Sequence, residues 1–192
     1  MKINYLDLIS KINNPYIVQI GAHDGILGEE YGLQEYISKL ENFQLFLVEP
    51  IEKYFKNLYS VYSKFGDKVK YYNYAITDNN GYTTMQDNGG MSHISKNGNL
   101  SVITKNWKSF VEESCIQNID LLLLDCEGYE YNILKNVDFV KNRPKIIRYE
   151  YYWIDDKIGC DNFLTHHGYN IAFCEHDTVY NKIAYDKNSI TL

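Results

Sequence analysis

Arginine is scarce in this sequence, which contains two arginines, Arg143 and Arg148, among its 192 residues. Lysine and arginine together number 19 against 25 aspartates and glutamates, so the formal net charge is −6. A protein that reads phosphate groups usually presents a basic face. The composition therefore argues against nucleic acid as the main ligand.

A long apolar run is also missing. The longest aliphatic stretch, residues 121–124 with Ile119 before it, is far shorter than the roughly 20 residues that a membrane helix needs. Asp7 stands where a secretory signal would have its apolar segment, and no small-residue cleavage site follows it. We therefore expect a cytoplasmic protein that does not act on a membrane.

Cysteine is sparse, and its spacing fits no metal or disulfide framework. The four cysteines are separated by 11, 34 and 14 positions, which matches neither a Cys-x-x-Cys metal knuckle nor a dense set of disulfides. We expect four reduced thiols. A chain of this length can bury roughly 70% of the surface of its unfolded form, so the core needs no metal. With no linker or repeat in view, residues 1–192 are expected to form one domain.

Short apolar runs alternate with helical stripes along the chain. In a stripe such as Leu33, Ile37 and Leu40, the spacing of three and four predicts one apolar helix face. The apolar runs are too continuous for a half-exposed sheet, which predicts an α/β fold with a mostly parallel sheet and helices on both faces. The predicted strands cover residues 17–20, 45–48, 69–76, 82–85, 101–104, 119–124, 145–150 and 169–173, and the predicted helices cover residues 108–114 and 161–167 and the stripes that begin at Leu33, Ile51 and Ile133.

The segment between residues 69 and 99 carries turn signals. Residues 78–81, Asp-Asn-Asn-Gly, separate two strand-like stretches, so the pattern predicts a hairpin from residues 69–76 to residues 82–85. Residues 86–99 are rich in asparagine and glycine and have no period. They are predicted to form a mobile loop.

Two features at the ends of predicted strands indicate a cofactor. Residues 21–25, Gly-Ala-His-Asp-Gly, follow the first apolar run, and their glycines let backbone N–H groups approach a ligand, although a tight structural turn would use the same residues. Glu49 ends the second run, 28 residues after Gly21, where a carboxylate can accept hydrogen bonds from both hydroxyls of a ribose. The pair predicts an adenosine-bearing cofactor, and both NAD and S-adenosylmethionine fit.

Five blocks of sequence occur in a characteristic order. They are residues 18–25 (VQIGAHDG), 48–50 (VEP), 73–78 (NYAITD) before Gly81, 119–130 (IDLLLLDCEGYE), and Arg143-Pro144 ahead of Glu150. In this order the chain, from roughly residue 18 to residue 169, resembles the FkbM family of S-adenosylmethionine-dependent methyltransferases. The resemblance implies a class I methyltransferase fold, which is a Rossmann-like three-layer sandwich. It also implies methyl transfer, commonly to an oxygen of a sugar or small metabolite.

The resemblance also assigns residues to the cofactor, S-adenosyl-L-methionine. Residues 21–25 would hold its amino-acid end, Glu49 would hold its ribose, and residues 73–76 would border the adenine. Gln19 and His23 depart from the family pattern, which often has an acid and an asparagine at these positions. The predicted cofactor-binding residues are Gly21, Ala22, His23, Asp24, Gly25, Glu49, Asn73, Ala75 and Asp125.

Methylation of an alcohol also needs a group that removes the proton of the acceptor, and a positioned base contributes about 10²- to 10⁴-fold. Asp125 and Glu127 follow the most buried predicted strand. Two neighbouring carboxylates can raise each other's pKa or share a divalent cation. Asp125 could instead cap the next helix. His93, in the predicted loop, is the third catalytic candidate. Glu150 could join a metal site with Asp125, but a salt bridge to Arg148 or a lysine is commoner, and we assign no metal.

The sequence is thus interpreted as an S-adenosylmethionine-dependent O-methyltransferase that acts on a sugar, a glycan or a small metabolite. A non-catalytic binding module with the same fold is the alternative. A nicotinamide-dependent oxidoreductase would share the glycine turn and the ribose carboxylate but would need a third glycine. The chain leaves little room for a separate substrate domain. We therefore expect a small acceptor, or a homodimer in which the partner completes the pocket.

Overall fold

The structure is a computed structural model that describes residues 1–26, 30–175 and 179–190. Over these residues the chain forms twelve strands and six α-helices, with 3₁₀ turns at Ser63–Lys68 and Gly89–Met91. The strands are β1 (Lys2–Ile3), β2 (Tyr16–Ile20), β3 (Gln44–Val48), β4 (Val69–Tyr72), β5 (Ala75–Ile76), β6 (Gly81–Gln86), β7 (His93–Ile94), β8 (Leu100–Lys105), β9 (Leu121–Leu124), β10 (Ile146–Glu150), β11 (Tyr169–Cys174) and β12 (Asn181–Asp186). The helices are α1 (Tyr5–Ile9), α2 (Glu30–Ser38), α3 (Glu52–Tyr62), α4 (Trp107–Ser114), α5 (Glu130–Asn136) and α6 (Lys157–His166).

Eight of the strands form one sheet, in the order β1-β11-β12-β10-β9-β2-β3-β4. Neighbouring strands run parallel except at β12, which is antiparallel to both β10 and β11. Ile20 pairs with Val48 on one side and with Leu124 on the other, so β2, β3 and β9 end at the same edge of the sheet. The strand order reverses at β2, and the crevice beside such a reversal is where open α/β sheets bind ligands.

Helices cover both faces of this sheet because side chains alternate between the two sides of each strand. In β9, Leu121 and Leu123 pack into one apolar core, and Leu122 and Leu124 pack into the other. Helices α1, α2 and α3 contribute to the first core, and helices α4, α5 and α6 contribute to the second. The predicted three-layer α/β fold is confirmed, and burial on both sides explains the unbroken leucine run.

The predicted single strand over residues 69–76 is wrong, because the chain changes sheets in its middle. β4 ends at Tyr72 in the main sheet, whereas β5 pairs with β8 in a second sheet of order β5-β8-β6-β7. Between the two strands, the Asn73 amide donates hydrogen bonds to the carbonyl oxygens of Glu49 and Pro50. These two bonds tie the chain to the end of β3 at the point where it leaves the main sheet.

The predicted hairpin between residues 69–76 and 82–85 is wrong as well. β8 lies between β5 and β6, and it pairs parallel with β5 and antiparallel with β6. The turn is closed by the carbonyl oxygen of Asn79, which accepts hydrogen bonds from the hydroxyls of Thr77 and Thr104. The local turn signal was therefore sound, but the strand beside β5 comes from a later part of the chain.

Residues 86–99 are more regular than predicted. They include the 3₁₀ turn at Gly89–Met91 and strand β7, which pairs antiparallel with the end of β6. The carboxylate of Asp87 accepts hydrogen bonds from the Tyr54 hydroxyl at 2.8 Å and from the Lys53 ammonium at 2.5 Å, which fastens the segment to α3. The prediction of a loop is wrong for Gly89–Met91 and His93–Ile94, and the mobility of the segment stays a prediction.

Four strands or helices lie outside every predicted strand or helix, namely β1, α1, β7 and β12. β12 is the antiparallel strand that completes the main sheet between β10 and β11. The four cysteines are free, as predicted. Within residues 1–26, 30–175 and 179–190, none of the helices combines the length and the apolar character needed to cross a bilayer.

Candidate functional site

A cavity of about 340 Å³ opens at the edge where β2, β3, β9 and β10 end. This volume lies within the range of small-molecule pockets. The ends of these four strands supply polar residues to the lining, whereas the second sheet supplies an apolar wall. The strand-end residues include Gly21, Glu49, Asp125 and Glu150, and the apolar wall includes Ala75, Met85 and Ile94.

The turn after β2 needs its two glycines. Gly21 has φ +80°, and a Cβ atom on it would lie 1.7 Å from the carbonyl oxygen of Asp125. Gly25 has φ +71°, and a Cβ atom there would lie 2.6 Å from the Tyr62 ring. The N–H of Gly21 donates to the carbonyl oxygen of Val48 at 3.0 Å. Backbone of β2 and β9 therefore meets here at a separation that a side chain at Gly21 would not permit.

The predicted residues of this turn divide between the cavity wall and its support. Gly21 and His23 are among the described residues that line the cavity, whereas Ala22, Asp24 and Gly25 are outside that lining. Ala22 is fully buried, and the Asp24 carboxylate accepts a hydrogen bond from a backbone N–H two residues later. The first half of the turn faces the cavity, and the second half shapes it.

His23 is a lining residue of the cavity whose ring is held by the neighbouring helix. Its ring stacks on Tyr54 of α3 with the ring centroids 3.8 Å apart and the ring planes 31° from parallel. The backbone at His23 is left-handed, with φ +47°. Its Nε2 atom is buried and has no hydrogen-bond partner among the described residues.

Glu49 ends β3 with its carboxylate held in place by backbone N–H groups. One oxygen accepts from the N–H of Ile51 at 2.7 Å, and the other accepts from the N–H of His23 at 2.9 Å. The residue is 4% exposed, and this burial raises the pKa of Glu49 to about 7. A carboxylate has about four acceptor sites, so two remain for the hydroxyl groups of a ligand.

Asn73 and Ala75 were both predicted to border the cofactor, and the structure separates their roles. Ala75 lines the cavity, beside Ile51 and Ile76. Asn73 lies outside the described lining, and its amide is bonded to the backbone at the end of β3. Asn73 thus shapes the strand end, while Ala75 is part of an apolar wall suited to a flat ring.

Three carboxylates meet on the opposite side of the cavity. Oxygen atoms of Asp125, Glu127 and Glu150 all lie within 4.8 Å of one another. Burial, and then the charge of Asp125, raise the pKa of Glu127 to about 7. Burial, and then the charges of Asp125 and its acidic neighbours, raise the pKa of Glu150 to about 9. Two of these groups follow β9 and the third ends β10, so parallel pairing of the two strands brings them together.

The loop that carries two of the carboxylates is organised by Glu130, to which sequence reasoning gave no role in the site. Its side chain is fully buried at the start of α5, and its carboxylate accepts hydrogen bonds from the N–H groups of Cys126 at 2.6 Å and Gly128 at 3.0 Å. Burial raises the pKa of Glu130 to about 7. An acid in the first turn of a helix was the signal, since the helix dipole favours negative charge there. The N-cap residue of α5 is Tyr129, so Asp125 does not cap this helix.

His93 is not among the described residues that line the cavity, although Ser92 and Ile94 on either side of it are. Its Nδ1 atom lies 3.1 Å from the carbonyl oxygen of Met91. Strand β7 alternates its side chains, and this alternation directs Ile94 toward the small apolar core that Met85 helps to form. The structure thus keeps His93 near the rim and outside the carboxylate cluster.

The expected salt bridge of Glu150 is wrong. In the described part of the chain, no lysine or arginine nitrogen lies within 4.0 Å of its carboxylate. Arg148, two residues earlier on β10, lines the same cavity and is 6% exposed. Its charge acts on Glu150 from a distance and partly lowers the pKa of that carboxyl. Tyr180 and Asn181, at the start of the unpredicted strand β12, are further lining residues that sequence reasoning missed.

Comparison with known proteins gives one family and one fold. The family model described as the methyltransferase FkbM domain matches residues 19–171, which include the glycine turn and the three carboxylates. No curated protein matches the sequence significantly.

Solved structures share the fold at low sequence identity. The precorrin-6y C5,15-methyltransferase of Geobacter metallireducens superposes with a TM-score of 0.57 at 13% identity, covering 95% of this chain and 85% of that one. The TrmK protein of M. capricolum, solved with S-adenosyl-homocysteine, superposes with a TM-score of 0.53 at 16% identity, covering 99% of this chain and 70% of that one. At such identities the likeness establishes the class I methyltransferase fold.

Proposed function

Because the chain belongs to the FkbM methyltransferase domain family, and thus to the S-adenosylmethionine-dependent methyltransferases, we propose that it methylates a hydroxyl oxygen of a sugar, a glycan or a small metabolite. The observation that carries this proposal is the position of Asp125 and Glu127 beside the glycine turn in one cavity. A hydroxyl acceptor must lose a proton, and carboxylates at that position can receive it.

The residues of the cavity fit the cofactor of the family. Gly21 lines the cavity without a side chain, so a ligand can approach its backbone closely and the turn would hold the amino-acid end. Glu49 would accept hydrogen bonds from the ribose hydroxyls with the acceptor sites that the backbone leaves over. Ala75 and its apolar neighbours would cover the adenine. When bound, S-adenosylmethionine supplies a methyl group on a positively charged sulfur.

The chain's own residues would position the acceptor and take up its proton. Holding the reacting atoms in line, about 3–3.5 Å apart, supplies much of the acceleration of such a displacement. The acceptor oxygen forms the new bond to the methyl carbon as its proton passes to Asp125 or Glu127, directly or through water, and the electron pair of the broken bond stays on sulfur. A carboxylate in this position contributes about 10²- to 10⁴-fold.

The charge of the chain supports an acceptor other than nucleic acid. The net charge is −6, and three carboxylates face the cavity, so a polyphosphate backbone near the reacting hydroxyl would be repelled. A neutral, hydroxyl-rich molecule meets no such repulsion. It would enter past Tyr180 and the second-sheet residues Gly89, Gly90, Ser92 and Ile94, which form part of the cavity wall.

The variants Asp125→Asn and Glu127→Gln test the proposal against a panel of sugars and small hydroxylated metabolites. We expect methyl transfer, measured by mass spectrometry of the acceptor, to fall about 10²- to 10⁴-fold, while calorimetry shows that the affinity for S-adenosylhomocysteine is largely retained. Glu52→Gln is the matched control, since Glu52 is exposed on α3. Cofactor binding without methylation of any hydroxyl by the parent protein would instead favour a non-catalytic binding module.

A further inference from the structure

We propose that Asp125, Glu127 and Glu150 bind one divalent cation on the floor of the cavity, where it would hold the acceptor hydroxyl. The cation would be one that prefers oxygen ligands, such as Mg²⁺, Mn²⁺ or Ca²⁺. Its catalytic use rests on the proposed function, whereas its binding rests on the three side chains alone.

The first support is the geometry of the cluster. One oxygen from each of the three side chains lies within 4.8 Å of the other two. Opposite ligands of Ca²⁺ are about 4.6–5.2 Å apart and those of Mg²⁺ about 4.0–4.2 Å apart. The limit of 4.8 Å on the separations of the three oxygens is compatible with their binding one ion of either size.

The second support is independent of the clustering. Glu150 is 7% exposed, and its Oε2 atom is buried with no hydrogen-bond partner among the described residues. A buried carboxylate oxygen without a partner is costly, and the residue that carries it lines the cavity beside two further acids. A cation in the cavity would give this oxygen the partner that the protein does not provide.

The third support is the balance of charge around the cavity. Among the described residues that line the cavity, Arg148 is the one arginine or lysine, whereas the cluster contributes three carboxylates. It is stacked over the ring of Tyr5, with its guanidinium carbon 5.8 Å from the ring centroid. A divalent cation would remove the repulsion among the carboxylates, which one arginine only partly offsets.

The backbone holds the ligand positions before any ion binds. Asp125 follows Leu124, and Glu150 follows Tyr149, which is the strand partner of Leu124, so two of the ligands stand side by side on neighbouring strands. The loop that carries Glu127 is held by the two N–H groups bonded to Glu130. Ligands on such fixed supports bind an ion without a large ordering cost.

A cation at this place would act on the acceptor rather than on the cofactor. An alcohol bound to a divalent ion loses its proton more readily, as metal-bound water does. Each ligand uses one oxygen, so the second oxygen of Glu127 remains to receive that proton. The acceptor oxygen then forms its bond to the methyl carbon, and the electron pair of the broken bond remains on sulfur.

Mn²⁺ binding to the full chain tests the site without cofactor or acceptor. After treatment with EDTA and dialysis, Mn²⁺ is titrated and the free ion is followed by electron paramagnetic resonance. We expect one bound equivalent that Mg²⁺ or Ca²⁺ displaces. Glu150→Gln and Asp125→Asn should each weaken Mn²⁺ binding by at least about tenfold, since even outer-shell losses cost this much. Glu52→Gln should bind Mn²⁺ as the parent does, and circular dichroism confirms that every variant is folded.

The outcomes separate this inference from the proposed function. If the parent holds no more Mn²⁺ than Glu150→Gln does, the cation site is refuted. If methyl transfer survives complete chelation, the catalytic use of the cation is refuted while the methyltransferase proposal stands. If Mn²⁺ binds as expected but no hydroxyl acceptor is methylated with any of the three ions, the binding site is supported and the proposed O-methylation fails.

Discussion

Replacement of Glu49 by glutamine separates the stability of the protein from its use of the cofactor. Glu49 is buried at the end of β3, and its carboxylate accepts two backbone hydrogen bonds. Burial raises the pKa of Glu49 from 4.5 to about 7. The folded protein therefore holds a proton at this site over a range of pH in which the unfolded chain has released it. Stability must fall as the pH rises through this range.

The size of the effect follows from the two pKa values. Below about pH 4.5 the carboxyl is neutral in both states and carries no penalty, whereas above about pH 7 the penalty is complete. At about 1.36 kcal/mol per pKa unit, the full penalty is about 3 kcal/mol, of which about 2–3 kcal/mol develops between roughly pH 5 and pH 8. Glutamine does not titrate, so Glu49→Gln should escape this loss.

The variant also has a cost that does not depend on pH. Its amide oxygen can accept from one of the two N–H groups, which leaves the other facing an NH₂ group at a cost of about 1–3 kcal/mol. The prediction is therefore the change with pH: the free energy of unfolding of Glu49→Gln, relative to the parent, should rise by about 2–3 kcal/mol from pH 5 to pH 8.

Urea unfolding without cofactor at several pH values measures this difference. Glu52→Gln, an exposed acid on α3 whose pKa is lowered by Lys56, is the control and should show no such rise. Calorimetry at pH 8 should show that Glu49→Gln binds S-adenosylhomocysteine far more weakly than the parent, because glutamine presents a donor where the ribose needs an acceptor. A stability difference that stays flat with pH would refute the assignment of the raised pKa to buried Glu49.

Three further substitutions test the supports of the site. Gly21→Ala should prevent binding of S-adenosylhomocysteine and destabilise the fold by several kcal/mol more than Gly66→Ala. Both glycines have positive φ, but only a Cβ atom at Gly21 collides with the backbone of Asp125. Equal losses of the free energy of unfolding in urea would contradict this reasoning. Glu130→Gln leaves one of two N–H groups without an acceptor. It should lower the free energy of unfolding by about 1–3 kcal/mol and lower methyl transfer. Full activity would show that the loop keeps its shape without the Glu130 carboxylate. Asp156→Ala removes the side-chain cap of α6 and should lower the free energy of unfolding by about 1 kcal/mol, with unchanged cofactor affinity by calorimetry as the internal control.

Much of the candidate site could be predicted because its residues follow strands directly in the sequence. The turn at Gly21 and the acid at Glu49 each come after an apolar run. Parallel strands bring their carboxyl ends to one edge whatever their exact order. The same logic placed Asp125 and Glu127 beside the cavity, and the structure has all four among its lining residues.

Other parts of the site could not be predicted because they depend on which strands pair. The insertion of β8 between β5 and β6 is a pairing between distant segments, and it converts a predicted loop into part of the cavity wall. Tyr180 and Asn181 reach the cavity through β12, which pairs antiparallel between β10 and β11. No local period marks such a choice, since the free energy comes from contacts that form only when the sheet is complete.

By itself, the sequence determined the α/β class and the positions of Gly21 and Glu49 at the strand ends that line the cavity, since apolar periodicity and strand-end chemistry are local properties of a chain. Only the tertiary structure decided that Glu150 would face Asp125 and Glu127 without a basic partner. Whether a carboxylate forms a salt bridge or has no basic partner depends on the register of β9 against β10 and on the burial around it. Those are properties of the assembled sheet, and they distinguish a salt bridge from a set of ligands.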